Sequence, residues 1–158
     1  MLNKQFTPSV ILVNQVEYAI LPFTNRYAVS KNGEIISSNS GTWKVMKSPT
    51  GKNGYQTVSI TYPIILKSII PVPNSNPDSK SPAIVSKNVF QKTYAVHRLV
   101  YTAWKGPIPI AISGKRLCVD HINSIKNDNR LDNLQLLTWK ENLDKGFLDR
   151  LKASQVNL

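Results

Sequence analysis

The sequence predicts an α+β protein, in which a small N-terminal antiparallel sheet is followed by a C-terminal unit of two strands and a helix. Short apolar segments flank the Asn32-Gly33 dipeptide. Asn-Gly in that position is a strong signal of a β-hairpin, because both residues tolerate a positive φ. The segment Val96 to Trp104 carries apolar residues at i, i+3, i+4 and i+7, the spacing of an amphipathic helix. Thr138 and Glu141 form a capping box, which predicts the start of a second helix.

Residues 1–62 form the predicted N-terminal region. Residues 1–20 alternate weakly and fit either a short strand or a packing arm. After the Asn-Gly hairpin, Trp43 to Met46 and Tyr55 to Tyr62 are expected to be two paired strands, joined by a turn that contains two glycines. The region therefore predicts one small antiparallel sheet with lysines at or near its turns.

The rest of the chain divides into an insertion and a second region. Residues 63–88 contain five of the ten prolines, so a loop or an insertion without regular structure is expected there. Residues 89–158 follow with a strand and the first helix. In this region, Lys115 to Ile122 and Leu134 to Leu137 are the two predicted strands, joined by a polar loop. The second helix is expected to run to about Leu151.

The composition excludes several classes of protein. Cys118 is the only cysteine and His97 and His121 are the only histidines, so an internal disulfide, a Cys-rich zinc site and a multi-histidine metal cage are excluded. The apolar runs are far shorter than the ~20 residues that span a bilayer. The first residues show no apolar stretch followed by a small-residue cleavage site, so secretion is not expected. No membrane association is therefore expected.

The net positive charge of the chain comes entirely from the residues before Asp120. Residues 1–119 contain 14 Lys and Arg against 3 Asp and Glu, whereas residues 120–158 contain 6 of each, and the net charge is +11. A basic surface of this size attracts a polyanion through counterion release, so DNA or RNA is the expected partner, although such charge can also serve solubility alone. The candidate DNA contacts are Lys31, Lys44, Lys47, Lys52, Arg98, Arg116, Lys126 and Arg130. The last four are equally compatible with a solvated surface role.

Three stretches of the C-terminal region carry a resemblance to a known family. They read VDHIN at 119–123, NDNRLDNL at 127–134 and LTWKEN at 137–142. Together they resemble the motif of the HNH endonucleases, and within that family the phage and intron-encoded homing endonucleases. Val96 to Trp104 is similar to the helix that precedes the motif in this group, and residues 21–37 resemble its N-terminal NUMOD motif, a DNA-binding element.

The resemblance implies a ββα-metal (His-Me) finger, in which two antiparallel strands and a helix surround one divalent ion. Hydrolysis of a phosphodiester needs a nucleophilic water and relief of charge on the leaving oxygen. By this analogy His121 is the general base, with its second ring nitrogen held by a backbone carbonyl across the hairpin. Asp120 and Asn142 supply oxygen ligands to Mg²⁺ or Mn²⁺, which stabilises the 3′ leaving oxygen. Asn133, the central letter of the motif, braces the loop and completes the catalytic set.

Asn142 stands where many family members have histidine, which favours a hard, oxygen-preferring ion over zinc. The sequence therefore predicts a metal-dependent endonuclease that acts on double-stranded DNA, in the cytoplasm of a bacterial or phage-infected cell. A long recognition site would require a homodimer or a partner protein. Two alternatives stay open: a DNA-binding module whose HNH-like finger does not cut, and an RNA-binding protein or ribonuclease.

Overall fold

The computed structural model describes residues 6–38, 41–63, 84–86, 89–112 and 114–155. Over these residues the chain combines antiparallel sheets with two helices, which confirms the predicted α+β class. None of the described helices is long and apolar enough to cross a membrane.

The N-terminal sheet contains five strands, each hydrogen-bonded to the next along the chain. The weakly patterned start of the sequence forms the first two of them. The predicted hairpin is present, since the Ser30 N–H donates to the carbonyl of Glu34 at 2.9 Å and Gly33 turns the chain with φ 87°. The strands are β1 (Val10–Val13), β2 (Val16–Ile20), β3 (Tyr27–Ser30), β4 (Ile35–Ser38) and β5 (Trp43–Val45).

A second sheet corrects two of the sequence predictions. It contains β6 (Thr57–Pro63), β7 (Ile84–Ser86) and β8 (Val89–Ala95) in the order β6-β8-β7. The predicted pairing of β5 with β6 is wrong, because β5 pairs with β4 and β6 pairs with β8. Alternation identifies a strand but not its partner. The expectation of no regular structure in the insertion is wrong at β7, and residues 64–83 and 87–88 lie outside the described residues.

The C-terminal part begins with helix α1 (Val96–Lys105), which ends at Gly106, where φ is 101°. A short strand, β9 (Ala111–Ile112), then leads into β10 (Lys115–His121). After a loop and one turn of 3-10 helix, β11 (Leu134–Thr138) pairs with β10, and helix α2 (Trp139–Gln155) follows directly. The order of two antiparallel strands and a helix is the one predicted, although α2 extends four residues beyond Leu151.

The capping box at the start of α2 is formed as predicted. The Glu141 N–H donates to Thr138 Oγ1 at 3.2 Å, and the Thr138 N–H donates to Glu141 Oε2 at 2.7 Å. These hydrogen bonds from Thr138 stabilise the ionised carboxylate and lower the pKa of Glu141. The cap fixes where α2 leaves β11, and thereby sets which face of the helix turns toward β10.

One buried apolar cluster joins the N-terminal sheet, the second sheet, α1 and the β10–β11 hairpin. It contains Val29 and Ile35 from the first sheet, Ile60 from the second, Leu99 from α1 and Val119 from β10. Helix α2 contributes no buried residue. Instead it exposes apolar side chains at four-residue spacing, with 54% of Leu143, 55% of Phe147 and 44% of Leu151 accessible.

Candidate active site

Asp120 and His121 end strand β10 and project to opposite faces of it, because successive side chains of a strand alternate. His121 turns into the protein and is 3% exposed. Its ring lies 5.0 Å from the ring of His97 on α1 and 5.9 Å from the ring of Tyr55, between centroids. Asp120 turns toward α2. The two residues that the motif places side by side in sequence therefore face two different environments.

The ring of His121 is held by the side chain of Asn129, with 3.1 Å between Nε2 and Oδ1. The expectation of a backbone carbonyl in this role is wrong. The loop after β10 folds back over the strand, buries Asn129 to 3% exposure and presents its amide to the imidazole. The sequence gives no signal for this contact, because Asn129 is one of several asparagines in a loop where that residue is common for its turn-forming ability.

The Asp120 carboxylate is hydrogen-bonded from two sides. Gln135, its partner across the β10–β11 pair, donates to Oδ2 at 2.9 Å. Lys145 of α2 donates to the same oxygen at 2.7 Å, and its ammonium also donates to the backbone carbonyl of His121. Both side chains of this ion pair are largely buried, with 22% and 15% accessible for Lys145 and Asp120. Lys145 was not predicted as a site residue, because in the sequence it cannot be distinguished from an ordinary exposed lysine on a helix.

Asn142 lies on the face of α2 that covers Asp120. Asn142 and Lys145 are three residues apart and Lys145 and Asp149 four apart, so all three side chains share one face of the helix. Lys145 contacts Asp120, and Asp149 accepts a 2.5 Å hydrogen bond from Ser124 in the loop after β10. These two contacts fix this face over the strand end, and Asn142 is half-buried there.

Asn133 ties the two ends of the loop together. Its Oδ1 accepts from the backbone N–H of Asn123 at 3.0 Å, and its Nδ2 donates to the carbonyl of Asp128 at 2.8 Å and to Asn123 Oδ1 at 2.9 Å. Its own backbone carbonyl accepts from Ile122. Asn133 is 7% exposed and touches neither His121 nor Asp120 through these bonds, so it holds the loop in which Asn129 lies.

The oxygen donors at the strand end suit a hard divalent cation. The described residues contain no group of three or more His, Cys, Asp or Glu side chains that would hold a metal ion. The ammonium of Lys145, however, lies between the Asp120 carboxylate and the His121 carbonyl, so two oxygens already stabilise a positive charge at this point. A carboxylate and one amide, with remaining positions left to water and phosphate, is a donor set that magnesium accepts.

Two of the predicted DNA contacts, Lys31 and Lys126, already have partners within the protein. Lys31, in the β3–β4 turn, pairs with Glu17 at 2.8 Å, and its ammonium lies 4.8 Å from the ring centroid of Trp104. Lys126, in the loop after β10, donates to the carbonyl of Asn53 at 3.1 Å. Lys44, Lys47 and Lys52 are exposed at β5 and in the segment that follows it.

The three arginines among the predicted DNA contacts differ in exposure and in their charged or aromatic neighbours. Arg130 is exposed and bidentate to Asp128, at 2.8 and 2.9 Å. This pairing holds the pKa of Asp128 well below its usual range and raises that of Arg130. Arg98 is half-buried on α1, and burial lowers its pKa. Arg116 is exposed on β10, 5.8 Å from the ring centroid of Trp139. Arg130 thus has an internal counterion, which weakens its case as a phosphate contact.

His97 makes folding sensitive to acid. Burial lowers its pKa to about 3 from 6.5, with the neighbouring His121 and Arg98 adding to the shift. Because the ring stays neutral when folded and titrates near 6.5 when unfolded, unfolding takes up a proton below that pH. The free energy of unfolding is therefore expected to hold above about pH 6.5 and to fall as the pH drops toward 3, by up to roughly 1.4 kcal/mol per pH unit.

The variant His97→Leu tests this directly. It keeps an apolar side chain of similar size and removes the buried Nδ1, which has no hydrogen-bond partner among the described residues. Urea unfolding at several pH values between neutral and mildly acidic is expected to give a shallower pH dependence for the variant than for the wild type. Identical slopes would mean that other groups cause the acid sensitivity.

Comparison with known proteins finds a family match and a similar solved structure. Residues 94–143 match the family of HNH endonucleases. The match covers α1, β10, the loop, β11 and the first turn of α2. The chain is also similar to the solved structure of the HNH homing endonuclease I-HmuI, reported for DNA binding and cleavage, with 26% sequence identity and a TM-score of 0.53. The likeness covers 87% of this chain but 63% of the other. No curated protein matches the sequence.

Proposed function

We propose that the protein is a metal-dependent DNA endonuclease of the HNH type. The observation that carries the proposal is the end of β10, where consecutive residues present a buried imidazole on the inner face of the strand and a carboxylate beneath the α2 face that bears Asn142. The match of residues 94–143 to HNH endonucleases supports the same reaction. Duplex DNA as substrate is supported by the likeness to a homing endonuclease reported for DNA cleavage and by the net charge of +11.

In this mechanism His121 is the general base and Asp120 and Asn142 are the metal ligands. A neutral imidazole hydrogen-bonded through Nε2 has its lone pair at Nδ1, where it can take a proton from the attacking water. Asp120 and Asn142 would hold Mg²⁺ or Mn²⁺, which when bound supplies positive charge at the scissile phosphate and the leaving 3′ oxygen. Lys145 holds the Asp120 carboxylate and would have to give it up to such an ion, and Asn133 keeps the loop closed around His121.

A supercoiled-plasmid assay tests the proposal. We expect the protein to nick or linearise plasmid DNA in Mg²⁺ or Mn²⁺ and to do neither in the presence of a chelator.

The ion pair between Lys145 and Asp120 favours a second candidate, a DNA-binding protein whose finger does not cut, because a carboxylate already paired needs no metal. That candidate predicts DNA binding without cleavage in any divalent ion. With labelled RNA and DNA as substrates, cleavage confined to RNA would favour the other alternative, a ribonuclease or RNA-binding role.

We propose that residues 1–62 act as a NUMOD-like DNA-binding region. Replacing Lys44, Lys47 and Lys52 together by alanine is expected to weaken DNA binding and to make the slope of log affinity against log salt shallower by about 0.9 for each phosphate that the protein no longer neutralises. The three side chains are exposed, so the fold should persist. Gel shifts over a salt series measure both quantities. Lys140→Ala, an exposed lysine on α2, is the matched control, and an unchanged slope in the triple variant would contradict the proposed role.

A homodimer or a partner protein is proposed as well. The exposed apolar stripe of α2 supports it, because contiguous exposed apolar side chains often mark a protein contact. A setting in a bacterial or phage-infected cell, and an origin among phage or intron-encoded enzymes, remain proposals that rest on the sequence resemblance.

A further inference from the structure

Two amide side chains connect the segment before β6 with the proposed base. Gln56 Oε1 accepts from Asn129 Nδ2 at 2.7 Å, and Asn129 Oδ1 lies 3.1 Å from His121 Nε2. Asn129 and His121 are both 3% exposed, so water does not compete for the bond between them. We infer that Asn129, oriented by Gln56, is a positioning residue that sets the tautomer of His121 for catalysis. The inference rests on the proposed function, and it assigns part of the active site to the N-terminal half of the chain.

The orientation of the Asn129 amide follows from its neighbours. Its Nδ2 also faces the backbone carbonyl of Asn127 at 3.4 Å, and a carbonyl can only accept a hydrogen bond. The amide nitrogen must therefore lie on that side, and the amide oxygen must face His121. An oxygen facing Nε2 requires the proton to be on Nε2, which leaves the lone pair on Nδ1. The network thus selects one of the two neutral tautomers, the one with a basic Nδ1.

The hairpin of the N-terminal sheet holds Asn129 in place. Gly33 in the β3–β4 turn has φ 87°, and a Cβ added there would lie 2.9 Å from Asn129 Cβ. Two residues before it, the carbonyl of Lys31 accepts from the Leu131 N–H at 2.7 Å. The turn therefore packs directly on the loop that carries Asn129. The N-terminal sheet, which is proposed to bind DNA, therefore also holds the loop that positions the His121 ring.

Loss of the Asn129 acceptor should affect the reaction more than substrate binding. Without it the ring can rotate or adopt the tautomer with a proton on Nδ1, which cannot take a proton from water. Mutation of a residue that orients a catalytic side chain through a hydrogen bond typically lowers activity by about 10- to 100-fold. We expect Asn129→Ala to lower kcat by that amount with KM for DNA little changed. Gln56→Ala should have a smaller effect in the same direction.

Asn129→Asp distinguishes positioning from a merely structural role. A carboxylate can still accept from Nε2–H, so the Nε2–H tautomer should be kept and most of the activity restored. A variant that merely loosened the loop would regain neither.

The experiment combines these cleavage rates with ¹⁵N spectra of the histidine rings in the full chain. With two histidines in the sequence, His121→Ala identifies the remaining signal as His97. We expect wild type and Asn25→Ala, an exposed asparagine in the β2–β3 turn, to show the Nε2–H tautomer of His121, and Asn129→Ala to show a mixture. If Asn129→Ala does not fold, Gln56→Ala takes its place.

An unchanged tautomer in Asn129→Ala, or in Gln56→Ala where that variant takes its place, would overturn the inference. The spectra need no cleavage activity. If the wild type cuts no DNA, the proposed function fails on its own, while the tautomer measurement still decides whether Asn129 positions the ring.

Discussion

Replacing His121 by alanine is expected to lower the rate of DNA cleavage by about 10²- to 10⁴-fold, the usual contribution of a positioned general base. At the end of β10 the imidazole is the group assigned to accept the proton of the attacking water, because Lys145 and Gln135 engage Asp120. DNA affinity should change little, since a ring that is 3% exposed offers no surface to the DNA backbone. Nicking rates at saturating DNA and Mg²⁺, with gel shifts in a chelator, measure the two effects separately.

Removing a buried ring leaves a cavity, so the fold of the variant needs its own check. His121→Gln fills most of the volume and keeps a side chain that can hydrogen-bond to Asn129, but it has no basic nitrogen. Both variants are expected to lose cleavage to a similar degree. Asp132→Asn, an exposed residue in the same loop, is the control that should cut at the wild-type rate. Wild-type cleavage by His121→Gln would remove the imidazole from the mechanism.

Local features of the fold were predictable because neighbouring residues determine them. The Asn32-Gly33 turn, the amphipathic helix that begins at Val96 and the capping box at Thr138 each depend on a few adjacent residues, and each is present in the structure. The partner of β6 was not predictable in this way. It pairs with β8, across an insertion of more than twenty residues, and the alternation of its side chains would fit either neighbour.

The same distinction between local and distant contacts applies to the candidate site. The spacing of Asp120, His121 and the helix cap follows from one continuous segment, and residues 94–143 match HNH endonucleases on that segment. Asn129, Gln56 and Lys145 were missed because their contacts join distant parts of the chain, 73 residues apart for the pair of amides. The local sequence around an asparagine in a polar loop, or around a lysine on an exposed helix, is the same whether or not the side chain contacts the active site.

The second large effect is expected at Asp120. Asp120→Asn keeps the shape of the side chain and its bond to Gln135 but removes the charge that would hold a divalent ion. We expect Mn²⁺ binding, followed by electron paramagnetic resonance or calorimetry, to weaken by about 10-fold or more, and cleavage to fall at least as far. Because binding is measured without DNA, the result does not depend on the cleavage assay. Asp132→Asn again serves as the control, and wild-type Mn²⁺ affinity in Asp120→Asn would exclude this carboxylate as a ligand.

Replacing Lys145 is expected to change Mn²⁺ affinity in the opposite direction to Asp120→Asn. Its ammonium is 2.7 Å from Asp120 Oδ2, so a divalent ion at the same carboxylate must displace it or bind against its charge. Lys145→Met keeps the aliphatic stem and removes the charge, so Mn²⁺ should bind more tightly than to the wild type, by a few-fold for a pair that is partly accessible. The double variant Asp120→Asn/Lys145→Met should regain none of this affinity, because the carboxylate that both cations share is gone. Equal Mn²⁺ affinities in Lys145→Met and the wild type would mean that the ion and the ammonium occupy different positions.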